Sequence, residues 1–221
     1  MKRFFDIIFS SIALVFFSPL LLPLMLILRA TGEGEIFFRQ SRVGLEGKHF
    51  KLFKFATMLK NSPKIGTGTV TIKNDPRILP FGNFLRKTKI NELPQLINIL
   101  KGDMSFIGPR PQTQRCFNAF PLSSQKEIIK VRPGLSGVGS IIFSSEEEMI
   151  QDNNDPENFY DEIVMPYKGS LEVWYVSHQG IISYFYLIFL TILALLGLNK
   201  GLIWRIFKDL PLPPPELIKW I

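Results

Sequence analysis

One stretch between residues 86 and 111 combines basic side chains, a lone carboxylate and a rigid arginine turn. It reads RKTKINELPQLINILKGDMSFIGPRP and contains Arg86, Asn91, Glu92 and Arg110. Arginine grips phosphate oxygens with two parallel hydrogen bonds, and a carboxylate can act as a nucleophile, a base or a magnesium ligand. These residue types therefore predict a site that binds a phosphate-containing anion and does chemistry at Glu92.

A short helix is predicted to carry this carboxylate. Apolar residues recur at helical spacing from Ile90 to Leu100, and Gly102 can supply a left-handed stop. Asn91 is a favourable N-cap, which predicts a helix from about Glu92 to Lys101. Free amide groups and the dipole at a helix N-terminus attract anions, so a phosphate is expected near Asn91 and Glu92, with Arg86 beside it.

Two arginine-containing turns after this helix are predicted to close over the same anion. Pro109 and Pro111 restrict the backbone on either side of Arg110, which lowers the entropy lost when the guanidinium binds a phosphate. Arg132 lies in a glycine-rich loop that reads VRPGLSGVGS. Each segment is also compatible with a plain tight turn that exposes an arginine.

The segment between residues 35 and 58 supplies another basic cluster. The alternation in KHFKLFKF predicts a short strand or a β-hairpin. The cations of this segment include Arg39, Arg42, Lys51 and Lys54. They either line a patch for phosphates or lipid headgroups or form a solvated strand face.

Residues 61–84 are predicted to form a loop, with turn signals at Asp75–Pro76 and Phe81–Gly82. Gly66 and Gly68 resemble a phosphate-binding loop only superficially, because no Gly-Lys-Ser/Thr sequence follows them. That match carries little weight.

The composition narrows the possible functions without deciding among them. The 221 residues suffice for one domain with a real core, and 46% of them are hydrophobic, which points to membrane association. The net charge of +7 suits nucleic acid, an anionic bilayer or phosphorylated substrates. Nucleic acid is disfavoured because no recognition-helix or RNP-type pattern occurs. One cysteine and two histidines exclude an internal disulfide and a Cys/His zinc site, so any metal would be magnesium held by oxygen ligands.

The N-terminal segment is predicted to enter a membrane. From Ile7 to Leu28 the chain carries no charge and is long enough to cross a bilayer core of about 30 Å. Ser18–Pro19 lies in its middle and Pro23 follows, so a kink or break is expected there. Basic residues flank both ends, which favours a re-entrant segment that returns to the same face. An ordinary transmembrane anchor is the alternative.

A second apolar stretch runs from Ile181 to Leu198 but also contains serine, threonine and tyrosine residues. It is predicted to be a helix that lies on the membrane or packs on the domain, with a second span as the alternative. The tail after it is basic and rich in proline, and its Trp204 and Trp220 suit an interface.

The predicted organisation has three parts. Residues 1–30 form a re-entrant membrane helix-break-helix, residues 31–180 a small cytoplasmic catalytic domain, and residues 181–221 an apolar interfacial helix with a basic, proline-rich tail. The predicted fold class is α/β but mostly α, with a short β-hairpin and amphipathic interfacial helices.

Four segments together resemble the bacterial sugar transferases known as monotopic phosphoglycosyl transferases. In order they are FFDIIFSSIALVFFSPLLLPLML, QSRVGLEGKHFKLFKFATM, NDPRILPFGNFLRKTKINELPQLINILKGDMSFIGPRP and VRPGLSG. The resemblance implies an enzyme on the cytoplasmic face of the bacterial inner membrane, held in its lipids by a re-entrant helix broken at Ser18–Pro19. It implies transfer of a sugar 1-phosphate from a UDP-sugar to undecaprenyl phosphate, with Mg²⁺ and release of UMP. This reaction begins exopolysaccharide, O-antigen or glycoprotein glycan synthesis, and a homodimer is plausible.

The resemblance also assigns roles to residues. Glu92 matches the second member of the family's catalytic Asp-Glu pair and is a candidate metal ligand, while Arg86 and Arg110 match its basic residues. With Lys54 and Arg132, these arginines are the expected phosphate-binding residues. The chain departs from the pattern at Ala56, where a basic residue is usual, and at Asn91, which occupies the position of the nucleophilic aspartate.

The asparagine leaves three mechanisms open, because an amide cannot supply the anionic oxygen that attacks phosphorus. Glu92 could itself be the nucleophile. Alternatively, Glu92 could bind magnesium or act as a base while the lipid phosphate attacks directly. Thirdly, the protein could be catalytically weak or silent and act as a membrane scaffold for glycan assembly.

Overall fold

Helices predominate over strands, as predicted. The structure, a computed structural model, describes residues 1–65, 75–144, 146, 149, 155–198 and 201–221. Helices within these residues are α1 (Lys2–Ala30), α2 (Pro80–Lys87), α3 (Gln95–Lys101), α4 (Gln114–Asn118), α5 (Leu122–Ile128), α6 (Val138–Ile142), α7 (Pro156–Phe159), α8 (Met165–Ser177), α9 (Ile181–Leu195) and α10 (Leu202–Ile206). A π-helical turn, Tyr160–Val164, joins α7 to α8. The strands are β1 (Phe37–Val43), β2 (His49–Phe55), β3 (Ser105–Ile107) and β4 (Gly134–Ser136).

The N-terminal helix α1 is continuous through Pro19 and Pro23, so the break predicted at Ser18–Pro19 is not confirmed. Pro19 has no N–H to offer the carbonyl of Val15, and the Ser18 hydroxyl donates to that oxygen at 2.8 Å. The Ser-Pro pair thereby replaces one lost helix hydrogen bond. Within the described ranges, α1 is the one helix that is long and apolar enough to cross a membrane.

A buried carboxylate near the start of α1 joins three elements. Asp6 is only 2% exposed. Its Oδ1 accepts hydrogen bonds from Ser105 Oγ at 3.0 Å, Phe106 N at 3.0 Å and Tyr184 OH at 2.9 Å. These donors belong to β3 and α9, so this contact, the Asp6 clamp, fixes α1 against both. The three donors replace the water that burial removes from the carboxylate.

Both ends of α1 pack against the same globular body. Near its start, Arg3 donates to the carbonyls of Ile99 and Leu100 at the end of α3. Near its end, Leu24 and Leu28 belong to an apolar cluster with β2 and α2. The rest of the helix exposes many large apolar side chains, which include Phe4, Ile7, Ile12, Val15, Phe16, Leu20, Leu22, Leu26 and Ile27.

The predicted β-hairpin is confirmed. β1 and β2 pair antiparallel, from Phe37 opposite Phe55 to Val43 opposite His49. Leu52 on β2 is buried beside Leu96 and Ile99 of α3, so the hairpin packs directly on the helix that follows the candidate site.

The helix predicted from Glu92 begins three residues later. Residues Ile90–Glu92 form a separate 3₁₀ turn, and Pro94 is the N-cap of α3, so the N-cap role predicted for Asn91 is wrong. Proline is well suited to a helix start because its missing N–H would be unpaired there. Gly102 ends α3 with a φ of 96°, which confirms the predicted left-handed stop.

The predicted loop over residues 61–84 contains a helix that the sequence did not indicate. The turn expected at Phe81–Gly82 is wrong, because both residues lie in α2, which starts at Pro80. A Cβ on Gly82 would lie 2.2 Å from the Thr57 carbonyl oxygen, so only glycine allows this close approach. The turn at Asp75 is confirmed by the hydrogen bond from Ile78 N to Asp75 O at 3.1 Å. Gly66 and Gly68 fall outside the described residues.

The two arginine-containing turns lie side by side. β3 leads into the Gly-Pro-Arg-Pro turn, and it pairs in parallel with β4, which follows Arg132. Gly134 N donates to Pro109 O at 2.8 Å, and Gly108 N donates to Ser136 O at 3.0 Å. A Cβ on Gly134 would lie 2.1 Å from Gly108 N, so these two segments can approach each other only because both residues are glycine.

The segment after residue 180 is integrated into the main core. α9 buries Ser183, Tyr184, Leu187 and Leu190 and exposes apolar residues elsewhere. In the tail, Ile203, Leu210 and Leu217 are buried in the same core cluster, and Trp204 and Trp220 pack partly buried against it.

The Asp6 clamp predicts a large and specific loss of stability. Asp6→Ala leaves three donors without their acceptor, two of them in buried side chains, and is expected to lower the free energy of unfolding by about 3 kcal/mol. Thermal unfolding in detergent measures this change. Glu46→Ala removes an exposed ion pair with Lys48 and is the control, for which no measurable change is expected. Equal melting temperatures for Asp6→Ala and the wild type would contradict the clamp.

Candidate active site

Three elements meet at Glu92. The 3₁₀ turn that carries Glu92 opens at Lys89, whose φ of 58° is left-handed. Lys54 at the end of β2 donates to Glu92 Oε1 at 2.9 Å, and Arg110 Nη2 donates to the same oxygen at 3.0 Å. The side chains of Glu92, Lys54 and Arg110 are 16%, 22% and 33% exposed, so a ligand can still reach them. Within the described chain, Glu92 Oε2 makes no hydrogen bond.

Arg110 and Lys54 determine the ionisation state of the Glu92 carboxyl group. Burial alone would raise the pKa of Glu92, but Arg110 and Lys54 outweigh it and hold that pKa well below its usual range. Burial lowers the pKa of Lys54 to about 8, against the opposing effect of Glu92. Glu92 raises the pKa of Arg110. Glu92 is therefore a permanent anion, and Lys54 loses its proton in the mildly alkaline range.

Asn91 points into the protein. It is 5% exposed, and its Oδ1 is buried without a hydrogen-bond partner among the described residues. An unpaired buried oxygen is costly unless a ligand supplies a donor or a cation. The neighbouring Glu92 is the more accessible of the two residues.

Arg42, one of the cations of the predicted basic patch, is a further cation of the site. Its Nη1 donates to Pro111 O at 3.1 Å, and Val43 N donates to Gln112 O at 3.0 Å, so β1 is bonded to the Gly-Pro-Arg-Pro turn. Burial, and then the charge of Arg110, lower the pKa of Arg42 to about 10. With Arg42, three cations surround one carboxylate, which leaves a net positive charge suited to a phosphate group.

Side chains alternate between the two faces of a strand, and this alternation divides the four predicted cations of the hairpin into two pairs. Arg42 faces Phe50 and Lys54 faces Phe38, so both lie on one side of the hairpin. Arg39 and Lys51 lie on the other side. The basic patch predicted from these four residues is therefore split between two faces, and only one face meets Glu92.

The profile of a known family matches most of the chain. It is described as bacterial sugar transferase, and it covers residues 1–197. The chain belongs to the bacterial sugar transferase family. This result confirms the resemblance seen in the sequence.

Individual proteins that are similar in sequence to this sugar transferase agree with the family match. The exopolysaccharide production protein ExoY of Rhizobium meliloti is 35% identical over 154 residues, which cover 63% of this chain and 68% of that protein. A UDP-glucose:undecaprenyl-phosphate glucose-1-phosphate transferase of Klebsiella pneumoniae is 40% identical over 144 residues, or 63% of this chain and 30% of that protein. The galactosyl transferase CpsE of Streptococcus agalactiae is 36% identical over 207 residues, or 89% of this chain and 42% of that protein. The chain thus matches less than half the length of the two longer relatives.

The described contacts of Arg86 and Arg132, two predicted phosphate-binding residues, are with residues other than Lys54, Glu92 and Arg110. Arg86 is on α2, and its described contact is with Met58 Sδ at 3.9 Å. Arg132 Nε donates to Gly102 O at 2.8 Å, where it caps the end of α3. Their binding of phosphate stays a prediction.

Magnesium has few protein ligands available at this site. Within the described residues, no group of three or more His, Cys, Asp or Glu side chains could hold a metal. The free oxygens are Glu92 Oε2 and the buried, unpaired Asn91 Oδ1. One carboxylate and one amide fit a magnesium ion that shares its other ligands with substrate phosphates and water.

The low pKa of Lys54 predicts pH-dependent binding of a diphosphate. Lys54 is charged below about pH 8 and neutral above it, so the affinity for UDP is expected to fall about tenfold between pH 7 and pH 9.5. Lys54→Arg stays protonated throughout this range and should remove the dependence. Calorimetric titration with UDP measures both proteins. Lys51→Arg, on the opposite face of the hairpin, is the control and should behave like the wild type; a fall in affinity toward pH 9.5 that persists in Lys54→Arg would rule out Lys54 as its source.

Proposed function

We propose that this sugar transferase moves a sugar 1-phosphate from a UDP-sugar to undecaprenyl phosphate and releases UMP. The observation that carries the proposal is the accessible carboxylate of Glu92, held between Lys54 and Arg110. A surplus of cations suits a diphosphate, and the carboxylate gives the site a group that can react with it. The names of relatives, which include undecaprenyl-phosphate sugar-phosphate transferases, agree with this substrate class.

The reaction is proposed to pass through Glu92. Its Oε1 is held by two cations, and its Oε2 is left to attack the β-phosphorus of the UDP-sugar. A bond forms between Oε2 and phosphorus, the bond to the bridging oxygen breaks, and its electron pair leaves with UMP. An oxygen of the lipid phosphate then bonds to the same phosphorus, and the carboxylate leaves. A base role is less suitable, because a carboxylate with so low a pKa binds protons poorly.

The silent-scaffold alternative has less support. A protein without phosphate chemistry would gain little from placing three partly buried cations around one carboxylate, since removing charge from water costs solvation energy. Although Asn91 replaces the aspartate, the site keeps a carboxylate that can react, because Glu92 lies one residue later. If Glu92 Oε2 attacks phosphorus, magnesium would be held at Asn91 Oδ1 and by the substrate phosphates; if the lipid phosphate attacks directly, Glu92 Oε2 would be a further ligand. In both cases the ion would neutralise phosphate charge, while Lys54 and Arg110 orient the diphosphate.

The membrane placement is proposed to be re-entrant. Arg3 and Leu28, near opposite ends of α1, both contact the same globular body. A helix that crossed the bilayer would place these residues on opposite sides, so α1 is proposed to enter from the cytoplasmic face of the inner membrane without crossing. The exposed apolar side of α9 lies beside α1, where Phe185 contacts Phe5 with ring centroids 5.1 Å apart, and is proposed to rest in the same interface.

The transfer proposal is tested with purified protein, a panel of UDP-sugars, undecaprenyl phosphate and magnesium. Release of UMP is expected with at least one sugar, and Glu92→Gln should reduce its rate on the order of 1000-fold. Mass spectrometry of protein incubated without the lipid acceptor should find a phosphosugar on Glu92. Glu46→Gln, an exposed glutamate, is the control. Absence of UMP release with every sugar would contradict the function, and release without any phosphosugar on Glu92 would favour direct attack by the lipid phosphate.

The re-entrant placement predicts the accessibility of two engineered cysteines. Lys2→Cys and Thr31→Cys flank α1 and should both be protected from a membrane-impermeant maleimide added to intact spheroplasts. Both should react after lysis. Labelling of either position in intact spheroplasts would show that α1 crosses the bilayer, and the native Cys116, which is buried, serves as the background control.

A further inference from the structure

The Gly-Pro-Arg-Pro turn has very few backbone donors. Pro109 and Pro111 have no N–H, so Arg110 carries the single N–H of this tripeptide. That group points at Glu172 on α8, with Arg110 N 3.5 Å from Glu172 Oε1. The distance is at the long end for a hydrogen bond, but the partner is a carboxylate in a dry environment, where such a contact is strengthened.

Glu172 is buried behind the turn. It is 1% exposed, and its Oε2 has no hydrogen-bond partner among the described residues. Gly139 leaves room for the carboxyl group, because a Cβ there would lie 2.5 Å from Oε1. Lys168, one turn earlier on α8, binds Glu146 at 2.7 and 2.8 Å instead. A carboxyl group this poorly paired lowers stability, and an apolar residue of similar size would fill the space at less cost.

We infer that Glu172 is a positioning residue, which holds the backbone of Arg110 so that the guanidinium points at Glu92 and at the phosphates of the substrate. No described contact joins Glu172 to Glu92, so its effect on a bound phosphate would pass through Arg110. Arg42 restrains the next carbonyl, that of Pro111, from the hairpin side. This inference rests on the proposed binding of a diphosphate at Arg110.

If Glu172 positions Arg110, its ionisation should make binding of the diphosphate depend on pH. Burial raises the pKa of Glu172 to about 7, so the carboxyl changes charge in the neutral range. The charged and titratable groups that face it are Arg110 of the turn and, on its own helix, Lys168 and Tyr175. The ionised form accepts the Arg110 N–H more strongly, so Arg110-dependent binding should tighten as pH rises through 7.

A double-mutant cycle on UDP binding tests the inference. Glu172→Leu is expected to weaken UDP binding about tenfold in the wild type but less than about twofold in Arg110→Ala, because its effect passes through Arg110. Glu162→Leu, an exposed position on the preceding turn, is the control and should change neither background. Equal effects of Glu172→Leu in both backgrounds would overturn the inference and leave only a structural role.

Two further variants keep the test decisive. If Glu172→Leu does not fold, Gly139→Ala displaces the same carboxyl without removing it, and the same cycle with Arg110→Ala applies. Glu172→Gln cannot ionise, so the part of the pH dependence of UDP binding between pH 6 and pH 8 that disappears in Arg110→Ala should also disappear in Glu172→Gln, a comparison in which the ionisation of UDP and of Lys54 cancels; an unchanged Arg110-dependent part in this variant would also overturn the inference. A protein that binds UDP but releases no UMP would contradict the proposed transfer alone, whereas one that binds no UDP would contradict both.

Discussion

The rest of the site depends on the ion pairs that Glu92 makes with Lys54 and Arg110. A carboxylate with little contact to water is stable as an anion only beside cations, and each cation arrives from a different part of the chain. Lys54 requires the hairpin, Arg110 requires the proline-flanked turn, and Glu92 requires the 3₁₀ turn before α3. The packing of Leu52 against Leu96 and Ile99 holds the first and last of these elements at the correct distance.

The Gly-Pro-Arg-Pro turn is held by contacts with three other parts of the chain. Gly134 and Gly108 let β4 approach within hydrogen-bonding distance, Arg42 restrains the carbonyl after Arg110, and Glu172 lies behind its N–H. This arrangement fixes the backbone of Arg110, whose side chain is proposed to bind a charged ligand. A rigid backbone reduces the entropy that the guanidinium loses on binding.

Much of this arrangement could be predicted from the sequence, and the failures have physical causes. The hairpin, the stop at Gly102 and the grouping of Glu92 with Arg110 follow from local patterns. The predicted start of α3 is three residues too early because the apolar spacing continues through the 3₁₀ turn, and helical periodicity cannot separate the turn from the helix. The turn signals at Asp75–Pro76 and Phe81–Gly82 predict a loop and hide the helix α2, which begins at Pro80 because proline is favoured in the first turn of a helix. Glu172 was missed because its contact joins residues far apart in sequence, which no local pattern records.

The Asp6 clamp relates the site to the bilayer surface. Asp6 is bonded to the backbone of Phe106, and Arg110 follows four residues later along the same rigid segment. The height of Arg110 above any layer that contains α1 is therefore set by the depth of α1 itself. A soluble nucleotide can approach this site at any height, but a lipid phosphate is confined to the headgroup plane. In the proposed reaction, the clamp would keep Arg110 at the level of the lipid phosphate, which is the one substrate that stays in the membrane.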